Sequence, residues 1–344
     1  MKTLKYSSVF KKIEDGSRIG VVYDGLKGFA VMATSGATTL GLEFTGENNR
    51  LFIKELRNDL KWTVKDEIEE IDFRTALGDG FNVNAEEKGV RVEPTTLRNC
   101  IEYAVMPVDG RSSNELLSSV WLVDGTLYGT DGHRLHRALG ALPEGYGPVR
   151  ISPFLLRGFI AAIMFDKKTA WIGASYSGGV LRLFGGNDSG VTVWLAVNGE
   201  ESTTYQTLVT YFNEAKENLD AMLDVGALVI EQSHGTLREA FDAAPRLGKD
   251  GSVISFRVYP DKLMLLGSEV EESSPTLLPV SGVVIAGGAT FLDRGDYLSV
   301  IVSHKLITTS LDMAGKVGML VRGPTDYLWF GDPFRTCIIM PVVP

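Results

Sequence analysis

Short runs of alternating apolar and polar residues dominate the chain and predict many β-strands. One strand–turn–strand pattern occurs three times, at residues 23–34, 123–130 and 259–268, each time with an aspartate near the turn. Aspartate and glycine favour tight turns because they tolerate the backbone angles that a turn requires. Further short strands are predicted at residues 170–172, 180–184, 191–197, 253–258, 282–285 and 327–330.

Apolar residues spaced three and four apart predict helices between these strands. One helix is predicted at residues 95–105, with Leu97 and Ile101 on one face, and another at 236–244, where Pro245 ends it. In a second recurring pattern a strand leads directly into a helix. The predicted helices of this kind cover residues 54–62, 153–165 and 303–314, and a shortened helix is predicted at 6–14.

The start of the helix at 153–165 has the expected chemistry. Pro153 suits a first helical position, and Ser152 is a candidate cap, as Ser303 is for the helix that follows it.

Strands and helices recurring in this order predict an α+β fold built from one module in several copies. We place the module boundaries near Gly89 and Asn213, which gives modules at 1–88 (shortened), 89–213 and 214–344.

Composition narrows the class of protein. A formal net charge of −9 argues against tight DNA binding by charge alone, which needs many phosphate neutralisations. A chain held on DNA by enclosing it remains compatible with that charge. Two cysteines provide no disulfide framework, no apolar run reaches the roughly 20 residues that span a bilayer, and the first residues lack the apolar core of a signal peptide. We therefore expect a cytoplasmic protein without a membrane segment.

Candidate chemistry is concentrated at residues 128–135, Tyr-Gly-Thr-Asp-Gly-His-Arg-Leu, directly after an apolar strand pattern. Asp131, His133 and His136 are possible ligands of a divalent metal for a hydrolase, although their spacing fits neither a helix face nor a strand face. A catalytic His–Asp pair lacks an accompanying nucleophile motif. A third interpretation is a plain Asp–Gly turn whose arginine and histidine cap nearby carbonyl groups.

The segment Thr-Asp-Gly-His-Arg-Leu at 130–135 resembles a motif of the bacterial β sliding clamp, the ring-shaped processivity factor of the replicative DNA polymerase. The segment 337–344, Cys-Ile-Ile-Met-Pro-Val-Val-Pro, is similar to that family's closing strand. The resemblance covers modules two and three and, loosely, module one. It implies three clamp modules with helices on an inner face and antiparallel sheets outside, which form a ring as a homodimer.

The resemblance also implies a groove that binds short peptides of the DNA polymerase and the clamp loader. Its expected residues come from the motif, from the junction of modules two and three, and from the closing strand: Thr130, Gly132, His133, Arg134, Leu135, Tyr205, Thr207, Leu208, Ile338, Ile339, Met340, Pro341, Val342 and Val343. A basic and a smaller apolar residue are usual in the family where Thr207 and Leu208 stand, and the basic residue that often ends the strand is absent. A divergent, virus-encoded member would explain these departures.

In such a ring the helices face double-stranded DNA, which they contact through phosphates without reading bases. The basic residues expected there are Lys54, Arg57, Lys61, Arg98, Arg111, Arg157, Arg238, Arg246, Lys249, Lys305 and Lys316. Such a protein is not an enzyme and needs no cofactor. The alternatives are a β-rich scaffold protein without a role on DNA, and the metal-dependent hydrolase described above.

Overall fold

Antiparallel sheets make up most of the part of the chain that the structure describes. The computed structural model describes residues 18–24, 28–35, 38–44, 89–163, 171–187, 191–199, 203–225, 227–244, 246–247, 252–259, 262–266, 276–279, 284–286, 298–310, 316–321, 328–331 and 334–340. The helices predicted at 6–14 and 54–62 lie outside these ranges.

Twenty strands are found in the described ranges. They are β1 Arg18–Asp24, β2 Gly28–Ser35, β3 Thr38–Phe44, β4 Val90–Val92, β5 Val120–Val123, β6 Thr126–Thr130, β7 Arg134–Ala138, β8 Val149–Ile151, β9 Trp171–Ser177, β10 Val180–Asn187, β11 Val191–Asn198, β12 Ala227–Ser233, β13 Val253–Val258, β14 Lys262–Leu266, β15 Thr276–Pro279, β16 Val284–Ala286, β17 Leu298–Ser303, β18 Lys316–Val321, β19 Leu328–Gly331 and β20 Arg335–Ile339. The helices are α1 Pro94–Val105, α2 Glu115–Ser118, α3 Pro153–Ile163, α4 Thr204–Val225, α5 His234–Ala243 and α6 His304–Ser310.

The chain forms two compact units. Unit 1 comprises Met1–Tyr128 and Leu139–Tyr205, and unit 2 comprises Gly129–Ala138 and Gln206–Pro344. The chain therefore passes from one unit to the other within β6 and again near the start of α4. The predicted boundary at Asn213 falls inside α4, and the division of the first two modules at Gly89 stays a prediction.

Unit 1 contains a seven-stranded antiparallel sheet in the order β1-β2-β3-β11-β10-β9-β4. Leu40, Leu195 and Leu183 lie in one row across β3, β11 and β10, and all are at most 1% exposed. Helix α3 packs on this sheet at β3 and β11. Burial of this leucine row under α3 holds strands from the two predicted modules in one sheet.

The start of α3 differs in one respect from the prediction. Pro153 is its first residue, as expected, and the Leu156 amide donates to the Ser152 carbonyl. The Ser152 hydroxyl, however, has no hydrogen-bond partner among the described residues, so it does not cap the helix. The Ser152 amide instead donates to Thr38 Oγ1 at 3.0 Å, which ties the helix start to β3.

Helix α1 has an acidic cap that the sequence pattern did not single out. The Glu93 carboxylate accepts hydrogen bonds from the amides of Thr95 and Thr96. These bonds, chiefly the one from Thr96, favour the ionised form and lower the pKa of Glu93. Such a contact satisfies amides that have no partner within the helix.

Unit 2 contains two antiparallel sheets. One runs in the order β16-β12-β18-β19-β20-β7, and the other in the order β15-β14-β13-β17. Helices α5 and α6 pack on each other, and α6 also packs on β13, β17 and β20. The Phe241 and Phe256 rings meet edge to face in the core of this unit, with centroids 5.6 Å apart.

The longest described helix, α4, is absent from the sequence-based prediction. The sequence carries Leu208, Phe212, Ala215 and Leu219 at helical spacing, so the signal was present. The segment was expected only as part of the peptide groove at the junction of modules two and three, and no helix was predicted there. Residues 205–209, expected as a groove wall, are the beginning of this helix.

Candidate partner-binding site

The motif at residues 130–135 forms the turn between β6 and β7. Thr130 Oγ1 donates to the Arg134 carbonyl at 2.7 Å and accepts from the Gly132 amide at 3.1 Å. Gly132 has φ +86°, a conformation that side chains with a Cβ rarely adopt. The predicted Asp–Gly turn is therefore present, with Gly132 and His133 exposed at its tip.

Asp131 organises this turn. Its Oδ1 accepts from the amides of His133 and Arg134, each at 3.0 Å, and its Oδ2 accepts from Arg134 Nε at 3.1 Å. The arginine side chain is 6% exposed and the aspartate side chain 22%. Since a buried guanidinium is costly without a counter-charge, Asp131 fixes both the backbone turn and the charge behind it.

The Arg134 guanidinium is directed at α6. Its Nη1 donates to the Leu306 carbonyl at 3.4 Å, to Ser310 Oγ at 3.1 Å and to Thr309 Oγ1. The resemblance implied that Arg134 belongs to the peptide groove. Its side chain is buried in contacts with α6 and with Asp131, so Arg134 holds the turn in place, and its role in a peptide groove stays a prediction.

His136 lies on the same face of β7 and is fully buried, with Nε2 3.1 Å from Ser310 Oγ. His133 is exposed at the turn, and the Asp131 carboxylate is occupied by the contacts above. Among the described residues, no group of three or more His, Cys, Asp or Glu side chains is arranged to hold a metal ion. The metal alternative at Asp131, His133 and His136 is therefore not favoured.

Strand β20 lies beside β7 although the two are far apart in the sequence. Leu135 pairs with Ile338 and Arg134 with Ile339, and the Met340 amide continues the ladder by donating to the His133 carbonyl at 2.9 Å. Met340 is 36% exposed. The turn and the last strand thus form one edge, as the sequence resemblance implied. Pro341, Val342 and Val343 lie outside the described residues.

In unit 2, α4 meets the face of β7 that carries Leu135, through the contact of Phe212 with Arg137. Leu208 and Phe212 are one turn apart on α4 and are both buried, whereas Thr207 is exposed. The Phe212 ring meets Trp329 of β19 edge to face, at 5.9 Å between centroids, and Arg137 lies over the same ring at 4.5 Å. In unit 1, Tyr205 packs near Trp121 at 6.4 Å.

Arg137, Phe212 and Trp329 were not among the predicted groove residues. Strand alternation offers a signal for the first, because Arg137 follows Leu135 by two residues and shares its face. Helical spacing offers one for Phe212, which follows Leu208 by four. The arrangement has a buried apolar floor and an exposed edge formed by Gly132, His133 and Met340, and Thr207 is exposed on α4. A surface of this kind is suited to hold a short peptide.

Solved structures of bacterial clamps are similar to this chain over nearly its whole length. The DNA polymerase sliding clamp from Bacillus subtilis is 14% identical, with a TM-score of 0.60, and the match covers 98% of this chain and 96% of that chain. The sliding clamp from Pseudomonas aeruginosa is 13% identical, with a TM-score of 0.62 and coverage of 99% and 97%. The DNA polymerase III beta chain from Streptococcus pneumoniae TIGR4 is 12% identical, with a TM-score of 0.61 and coverage of 98% and 97%.

The chain has the bacterial sliding-clamp fold. The predicted α+β fold class is thereby confirmed. No protein-family model and no curated protein matches the sequence. At this identity the fold persists while most individual side chains differ.

Each unit of this clamp fold carries a pair of packed helices with exposed basic residues. In unit 1, α1 packs on α3. Arg98 is exposed and pairs with Glu102 at 2.8 Å, while the exposed Arg157 donates to the Val105 carbonyl at 3.2 Å. Partial burial of its guanidinium lowers the pKa of Arg157, which stays charged at neutral pH.

In unit 2 the corresponding pair is α5 and α6. Arg238 is exposed and lies 3.8 Å from Asp242, and Lys305 is exposed on the first turn of α6. Acidic residues therefore share these helix faces, which are mixed in charge. Within the described ranges, no helix is both long and apolar enough to cross a membrane.

The other expected DNA-facing residues are dispersed. Arg111 lies in the loop between α1 and α2, where its amide donates to Asp109 Oδ1 at 3.1 Å, and Arg246 is exposed after α5. Lys316 is the first residue of β18. Lys54, Arg57, Lys61 and Lys249 lie outside the described residues.

We predict that Asp131→Ala lowers the free energy of unfolding by about 2 kcal/mol, because it leaves the buried Arg134 guanidinium without its counter-charge. Asp131→Asn should lose less, since its amide oxygen still accepts from the turn amides. Urea denaturation measures both values. Glu217→Ala, which removes an exposed carboxylate from α4, is the control; equal stability of all the variants would show that the Asp131–Arg134 pair does not hold the turn.

Proposed function

We propose that the protein is a DNA sliding clamp, which encircles duplex DNA and tethers a DNA polymerase and other replication or repair proteins. The observation that carries this proposal is the sliding-clamp fold over nearly the whole chain, since the similar structures are described as DNA polymerase sliding clamps. The motif turn next to the last described strand supports the same function. In this proposal the protein acts by binding and performs no chemistry.

The net charge fits a mechanism based on enclosure. A ring retains DNA because the duplex cannot leave without ring opening, so the phosphate contacts can be weak and independent of sequence. Arg98 and Arg157 in unit 1 and Arg238 and Lys305 in unit 2 are the basic residues on packed helix pairs that would make such contacts. Neighbouring acidic residues keep each contact weak, which permits sliding.

Closure requires more than one chain in this proposal, and a homodimer of three-module chains is the expected assembly. The DNA polymerase and the clamp loader would use the same partner-binding site, at the edge formed by the 130–135 turn, β20 and the start of α4. A short linear peptide fits such an edge because one or two large side chains provide most of the affinity. The site would thus connect the polymerase to a ring that moves freely on DNA.

Retention on DNA should depend on DNA topology. After loading, the protein should stay on a nicked circular plasmid even at raised salt and leave rapidly once a restriction enzyme cuts the circle, because the duplex ends let the ring slide off. Fluorescently labelled protein on immobilised plasmid allows both rates to be measured. Equal loss from the circular and the linear DNA would contradict encirclement.

Peptide binding should depend on the exposed edge. His133→Ala and Met340→Ala should each weaken binding of a polymerase-derived peptide by about tenfold, since both remove accessible contact surface. Neither should change thermal stability, because both side chains are exposed. Fluorescence anisotropy gives the affinities, and Glu144→Ala, at an exposed residue, is the control. Unaltered affinity in both His133→Ala and Met340→Ala would show that the peptide does not bind at this edge.

A further inference from the structure

We propose that the partner-binding site selects peptides that carry a carboxylate, and that Arg137 is the residue that binds it. This inference rests on the proposed function, because it specifies the chemistry of the peptide that the clamp recruits. Four features of unit 2 support it. Arg137 lies on β7 against the Phe212 ring, and it has no counter-charge among the described residues. Trp329 Nε1 is a second unpartnered donor beside the same ring, and α6 contacts the opposite face of the sheet.

Arg137 lies on the same face of β7 as Leu135, two residues further along the strand. Its guanidinium carbon is 4.5 Å from the centre of the Phe212 ring, and Phe212 belongs to the buried face of α4. Arg137 itself remains partly exposed. The ring therefore holds the guanidinium at the apolar floor of the site while solvent still reaches part of the residue.

Among the described residues, Arg137 has no counter-charge. Its Nε atom is buried without a hydrogen-bond partner there, and no described carboxylate forms an ion pair with it. Arg134, three residues earlier on the same strand, shows the contrast, because Asp131 and α6 satisfy its guanidinium. The Phe212 ring attracts the charge of Arg137 but supplies no oxygen acceptor.

A second buried donor lies beside the same ring. Trp329 is 5% exposed, contacts Phe212 edge to face, and its Nε1 atom has no hydrogen-bond partner within the described ranges. Buried donors are rarely left unpaired in folded proteins. A bound carboxylate would supply the acceptors that both donors lack, because it offers two oxygens to charged and neutral donors.

A peptide carboxylate fits this position better than a DNA phosphate. Helix α6, which carries Lys305, contacts the opposite face of the sheet through Arg134 and His136, whereas Arg137 lies on the face of Leu135 and Ile338. The apolar neighbours of Arg137 match a peptide with large side chains, whereas a DNA duplex has no such side chains. The carboxylate of a glutamate or aspartate next to those side chains is the expected partner.

The test compares short synthetic peptides that share a Leu-Phe pair and carry one glutamate at successive positions before it, each with a glutamine counterpart. At its best position, glutamate should bind the wild-type chain about tenfold more tightly than glutamine, as expected for a charge-assisted hydrogen bond. Arg137→Met should bind the two peptides equally, and Arg137→Lys should keep part of the preference. Rising salt should reduce the wild-type preference.

Arg335→Met is the matched control, because Arg335 lies on β20 next to β7 but on the opposite face of the sheet. It should retain the full preference for glutamate. Equal binding of the glutamate and glutamine peptides by the wild-type chain would overturn the inference and leave the peptide site standing. Absence of binding by either peptide would reject the site itself. Should Arg137→Met fail to fold, the affinities of the wild-type chain for the glutamate and glutamine peptides, and their dependence on salt, still test the inference.

A preference that persists in Arg137→Met would also contradict the assignment. Duplex DNA provides the last arm of the test. A short duplex should not displace the glutamate peptide, and displacement that depends on Arg137 would show that the arginine binds phosphate instead.

Discussion

The partner-binding site depends on one buried ion pair. Asp131 closes the turn after β6 and at the same time neutralises Arg134, whose guanidinium is anchored to the last turn of α6. This contact fixes the start of β7, and β7 in turn aligns β20 and the exposed Met340. The charged residues of the motif thus act mainly within the fold. The residues of the motif that remain exposed are Gly132 and His133 at the tip of the turn.

Much of the fold could be predicted from the sequence because its signals are local. Alternating runs indicated β10, β11 and β13, and helical spacing indicated α1, α3 and α5 close to their observed bounds. The strand order could not be obtained in this way. Pairing of β3 with β11, and of β7 with β20, joins residues more than a hundred positions apart, and it depends on which buried rows match. Helix α4 was missed although Leu208 and Phe212 stand at helical spacing, because many polar residues separate its apolar positions.

The candidate site was predicted in outline from the resemblance of two short segments. Which element covers each face of β7 could not be predicted, because that depends on pairing between distant parts of the chain. Arg134 is directed to α6, whereas Arg137 shares the face of Leu135 and Ile338. The large residues Phe212 and Trp329 fill space beside Arg137, so the chemistry of this site differs from a purely apolar groove. Local patterns place Arg137 on the face of Leu135 and Phe212 on that of Leu208, but they do not show that these residues and Trp329 meet.

The central claim is that an acidic chain acts on DNA by surrounding it, with weak contacts from mixed-charge helices and a separate edge for partner peptides. Cryo-electron microscopy of the purified protein in solution tests this claim most directly. The account predicts closed particles with a central opening wide enough for a duplex and lined by α1, α3, α5 and α6. Particles without an opening, or an opening lined by the sheets, would contradict it.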